Sequence, residues 1–161
     1  EYILYMWQIE DIIRVKNFDI DTIYSDIIDK FEQPDEIKKE MREWYQGLID
    51  MMINEGIEQT GHMQVLQTIV DDLYDLHLRL LNLPEEIKYH DLYKWAKPGI
   101  DELRAKSPGH ANEIEVSFTG LYGLLLLRLQ NKPISDDTKQ GMATISNMMA
   151  YLSGKYTSMN R

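Results

Sequence analysis

Four histidines, no cysteine and a large excess of carboxylates bound the chemistry open to this chain. His77 is the residue best placed for it. Met63, Leu66, Val70, Leu73, His77 and Leu80 recur at steps of three and four, which marks one stripe of a helix. An imidazole on an inward stripe can ligate a metal or accept a proton from a facing helix. The simpler reading is a core histidine hydrogen-bonded through its ring nitrogens. Asp11 is the second candidate. It shares a side with Leu4, Trp7 and Val15 in a segment with little polar surface, and a partly buried carboxylate needs a partner. Arg79, Arg104 and Arg128 are the candidate cations, and Arg128 sits among leucines. Such a pair is either a structural ion pair or the polar end of a ligand pocket. Tyr122 and Phe118 would flank a niche left by Ser117, Gly120 and Gly123, although close approach of another helix explains those small residues more simply. The ligand-pocket candidates are therefore Asp11, His77, Tyr122 and Arg128. Glu10 reaches Arg14 at i,i+4 and calls for no special role.

A metal site would draw on His77, on His110 or Glu113 at the start of a later helix, and on Asp11 or Glu10 from the first. The pattern opposes it. Di-metal carboxylate bundles use paired Glu-x-x-His motifs, and here His110 and Glu113 stand once, in the reverse order. His62 and His110 fall near helix starts and His90 in an irregular segment, so three convergent imidazoles are not on offer. No metal and no other cofactor is expected. The dinucleotide fingerprint, the P-loop, the calcium loop, the zinc-protease signature and the nucleophile elbow are absent too. Without cysteine there is no disulfide, no thiolate nucleophile and no cysteine-ligated zinc or iron–sulfur cluster. No catalytic residue can be assigned. The leading expectation is a non-enzymatic interaction or scaffold protein; the alternative is a small-molecule or metal-dependent protein with a pocket inside a helical bundle.

The elements that must position these residues are helices. No segment alternates as a strand does. Residues 2–16 are apolar nearly all round, which suits a central strut or an oligomer interface. Asp19 can cap a second helix whose spacing runs from Ile20 to Phe31. Pro34 suits the first turn of a third, with a seam of Ile37, Met41, Trp44, Leu48 and Met51 and a stop at Gly56. The fourth, carrying His77, ends at Asn82. The fifth opens at Pro84 and is expected to break at Pro98 and Gly99. The sixth starts either at Ser107 with Pro108 or at Asn112 with Glu115, and ends near Gln130. Ser135 caps the last, with a seam of Met142, Ile145, Met149, Leu152, Tyr156 and Met159. The expected architecture is all-α, a single domain over residues 1–161 built as a bundle of six or seven mostly antiparallel helices.

The 161 residues carry a formal net charge of -10, which repels phosphate backbones, so neither nucleic acid nor an anionic membrane is an expected partner. The longest apolar stretch, Val116 to Leu127, falls short of the ~20 residues a bilayer span needs. Expected partners are a second copy of the chain, as a homo-oligomer, and an unidentified protein or small molecule. The chain opens in helical pattern without an initiator methionine, from which an absent upstream segment is expected.

Several stretches carry a resemblance. They are Glu1-Tyr2-Ile3-Leu4-Tyr5-Met6-Trp7-Gln8-Ile9-Glu10-Asp11, Arg42-Glu43-Trp44-Tyr45, Asp72 to Leu80, Leu103-Arg104-Ala105-Lys106, Asn112-Glu113-Ile114-Glu115 and Tyr122 to Gln130. Together they resemble an uncharacterised, domain-of-unknown-function family of Bacteroidetes proteins, over nearly the whole chain. The resemblance implies a bacterial, non-secreted, cytoplasmic protein with a short basic segment ahead of the first helix. It implies no mechanism and no catalytic residues.

Overall fold

The computed structural model describes residues 1–107, 109 and 111–160. The chain is all-α, with seven α-helices and no strand among the described residues: α1 (Tyr2–Val15), α2 (Ile20–Asp26), α3 (Asp35–Asn54), α4 (Gln64–Leu81), α5 (Ile87–Lys106), α6 (Glu113–Leu129) and α7 (Asp136–Met159). None of these is long and apolar enough to cross a membrane. The chain divides into two compact units, Glu1–Gln67 and Thr68–Arg161, the division falling near the start of α4.

In the first unit the buried stripe of α1 is Ile3, Met6, Trp7, Ile9, Glu10 and Ile13, while Tyr2, Tyr5 and Val15 are exposed. Asp19 caps α2 as its position predicts, accepting from the Asp21 backbone N–H at 3.0 Å. That helix is shorter than its spacing suggests. It gives way to a 3-10 turn over Ile28–Lys30, and Phe31 is extended and exposed. In α3 the inward residues are Tyr45, Leu48, Ile49 and Met52 rather than the full expected seam; Ile37, Trp44 and Met51 are exposed. Two overlapping apolar stripes are present in that helix, and packing selects the one rotated by about one residue. Gly56 ends α3 with a φ of +69°, which only glycine adopts readily, and the Ile57 N–H returns to the Met52 carbonyl.

In the second unit the stripe Val70, Leu73, His77 and Leu80 of α4 is buried as its spacing predicts. The expected break in α5 does not occur. Pro98 lies inside a continuous helix. Its missing N–H and ring cost about 3 kcal/mol in an isolated helix, and packing on either side opposes that cost. Ala96 and Ile100 are fully buried, and a Cβ on Gly99 would stand 3.6 Å from the Gly141 carbonyl of α7. α5 and α7 run antiparallel, since Glu86 pairs with Lys155, Tyr89 stacks on Tyr151 and Gly99 meets Gly141. Of the two starts open to α6, the structure takes Asn112, whose side chain accepts from the Ile114 and Glu115 N–H groups at 3.0 and 2.9 Å. Ser135 caps α7, accepting from the Thr138 N–H.

Candidate functional site

Two features of the second unit could do chemistry or binding, a buried polar cluster and an apolar cleft. The cluster forms because α4 turns His77 inward onto tyrosines of α5. His77 is fully buried, and its Nδ1 lies 2.6 Å from the Tyr89 hydroxyl. The rings of Tyr74, Tyr89 and Tyr93 surround the imidazole at centroid distances of 6.0, 5.8 and 5.1 Å. Glu113, in the first turn of α6, supplies the charge. Burial pushes the His77 pKa down, and the Glu113 carboxylate opposes that shift. Burial, then the charge of Glu113 and that of Tyr93, push the Tyr89 hydroxyl far above its usual value. Tyr93 rises likewise through burial and through its hydrogen bond to Glu113. The imidazole is therefore neutral and the phenols protonated at neutral pH. His77 Nε2 and Glu113 Oε2 are buried with no hydrogen-bond partner among the described residues.

The cleft lies between α5, α6 and α7 and holds about 460 Å³. Leu103, Val116, Gly120, Gly123, Leu124, Leu126, Leu127 and Met142 line it, with Ser107, Thr119 and Thr138 as its polar groups and no charged side chain. Gly120 lets α6 approach α5, because a Cβ there would stand 2.5 Å from Leu103 Cδ1. Gly123 faces open space. The small residues thus do two jobs, one of packing and one of shaping a niche. Neither Tyr122 nor Phe118 lines it, so the niche opens on the other side of α6 from the one the sequence suggests.

Arg128 is exposed at the end of α6, away from the buried imidazole, and Tyr122 is half-buried. Asp11 belongs to the first unit, is 47% exposed and pairs with Arg14 at 3.3 Å. The buried carboxylate of α1 is its neighbour Glu10, which is 0% exposed and engages His62 rather than Arg14. Counting from Ile3 and Met6 places position 10 on the inward stripe, and the charge of the residue there hid it. His110, the third metal candidate with His77 and Glu113, lies outside the described residues. Among the described residues no three histidine, aspartate or glutamate side chains are grouped as metal ligands would be.

A family described as a domain of unknown function (DUF4924) matches residues 1–161. The chain belongs to this family. No curated protein and no solved structure matches it. The resemblance read from the opening segment and from Asp72 to Leu80 is thereby placed, and both features described above fall within the matched region.

Proposed function

We propose that this member of the DUF4924 family is an interaction protein that docks an apolar helix in the cleft between α5, α6 and α7, most simply one presented by a second copy of the chain. The observation that carries this reading is the cleft itself: an open, uncharged surface on a chain of net charge -10, shaped by Gly123. An apolar groove between helices can seat the apolar face of a partner helix. Leu129, exposed at the end of α6, extends the apolar character of that helix beyond the cleft. The exposure of Arg128, set against the full burial of His77, supports interaction over a catalytic pocket. Gly123→Arg tests the reading, because its Cβ meets no neighbour and the charge enters the cleft. The wild-type chain is expected to sediment as a dimer at micromolar concentration, and the variant as a monomer with unchanged helical content. A wild-type monomer would count against it.

The cleft volume favours a second reading, a small apolar ligand, since pockets for such molecules span roughly 300–1,000 Å³. In that case a monomeric protein binds an apolar fluorescent probe, and Gly123→Arg abolishes the signal.

A further inference from the structure

The loop between α3 and α4 folds back on α1 around one buried carboxylate. Glu10 Oε2 accepts the Met63 backbone N–H at 2.8 Å, and Oε1 lies 2.7 Å from His62 Nδ1. With both carboxylate oxygens placed to accept, the neutral form of the imidazole carries its proton on Nδ1 and its lone pair on Nε2. Trp7 stacks on the ring with centroids 4.1 Å apart and planes 7° from parallel, which fixes its orientation. Arg14 fastens the loop by donating to the carbonyls of Ile57, at 3.0 Å, and Gly61. One face of the imidazole is thus covered and its Nδ1 edge is bound, yet 30% of the His62 side chain remains exposed. Nε2 takes part in no hydrogen bond among the described residues.

We propose that His62 is an acyl-acceptor site, with Nε2 as nucleophile and Glu10 as its positioning residue, for small uncharged activated acyl compounds. A carboxylate on Nδ1 holds the reactive tautomer and stabilises the positive charge that develops as Nε2 forms a bond. The charge of the chain selects the class of electrophile. At -10 it repels phosphoryl anions, and the Arg14 guanidinium is already engaged with two carbonyls. In the step, the Nε2 lone pair attacks the carbonyl carbon and the bond to the leaving oxygen breaks. The leaving group departs as an anion. The acylated ring keeps its Nδ1 proton against Glu10 and carries the balancing positive charge. Water then attacks the acyl carbon, the C–N bond breaks, and an acid and the free imidazole result, with the remaining proton of the water taken up by the departed anion. This site lies in the first unit and does not depend on the cleft.

Diethyl pyrocarbonate, an uncharged activated acyl compound, tests the assignment on the wild-type chain, because its histidine adduct survives peptide mass mapping. Under limiting reagent at neutral pH, His62 is expected to be modified first, faster than N-acetylhistidine amide in the same solution. His77 is sealed in the core and His90 Nε2 lies 3.1 Å from the Leu80 carbonyl. In Glu10→Gln the absolute rate at His62 is expected to fall about tenfold with the rate at His90 unchanged, whereas a general loosening of the fold would raise both. First modification at any other residue, a His62 rate no greater than that of the free amide, or an undiminished His62 rate in Glu10→Gln overturns the proposal.

Discussion

Single side chains set the pH behaviour of the second unit. His77 is neutral in the fold because burial outweighs the pull of Glu113. Its folded pKa lies below the ordinary value of 6.5, so the unfolded chain binds the extra proton. The contribution of the neutral imidazole to stability is complete above that value and is lost as pH falls below it. Urea unfolding from about pH 7.5 to about pH 5.5 should therefore show a decline in stability that His77→Leu reduces, by at most about 1.4 kcal/mol per pH unit. An equal decline in the variant would assign the effect to other groups. Tyr89→Phe removes the hydroxyl that Nδ1 faces and leaves the imidazole without its bond; a loss of about 1–3 kcal/mol is expected. The inward position of His77 was legible from the stripe it shares with Val70, Leu73 and Leu80. Glu113 was paired with it in the sequence only as a metal-ligand candidate, and its tyrosine partners were not legible, because Tyr89 and Tyr93 reach it from another helix and no spacing rule links them. Glu10 was legible in its position but not in its role: a carboxylate on an apolar stripe reads as a misfit until the loop bringing His62 and the Met63 N–H is seen.

At the scale of the helix, the caps and the glycines separate what the sequence dictates locally from what packing decides. Asp19 and Ser135 cap where their types predict, since a side-chain oxygen needs only the next turn of backbone to act on. The start of α6 was open between two local signals, and the structure resolves it in favour of Asn112. Asn112→Ala should cost about 1 kcal/mol, read as a shift in the urea midpoint; an unchanged midpoint would mean that packing of Ile114 and Phe118 alone fixes the helix start. The course of α5 through Pro98 and the rotated seam of α3 were not legible, because both depend on which neighbour each helix meets. Gly120 and Gly123 look alike in sequence and differ in surroundings. Gly123→Ala should stabilise the protein by about 0.5–1 kcal/mol, as helix propensity predicts where a methyl meets nothing. Gly120→Ala meets Leu103 Cδ1 and Met142 Cε, and the displacement of those side chains should offset most or all of the same gain. Equal gains at both positions, by thermal unfolding, would mean that α5 and α6 approach less closely than the structure shows.

For the molecule as a whole, charge decides how association should respond to its surroundings. Two copies at -10 repel one another at long range, and only a contact free of charge avoids adding to that repulsion at short range. The cleft between α5, α6 and α7 is such a contact, because none of its lining side chains is charged. Salt acts on the two contributions differently. It screens the repulsion between exposed charges, with a screening length of about 10 Å at 0.1 M, and leaves apolar burial nearly unaffected. A dimer formed through the cleft should therefore tighten as sodium chloride rises from low to moderate concentration. A dimer held by ion pairs between the many exposed carboxylates and lysines would loosen over the same range. Sedimentation equilibrium across a salt series measures the difference, with Gly123→Arg as the control that removes the apolar contact. Weaker association at higher salt, or an association that Gly123→Arg leaves intact, would place the interface elsewhere on the surface. Stronger association, abolished by that single charge, is the outcome the uncharged cleft predicts.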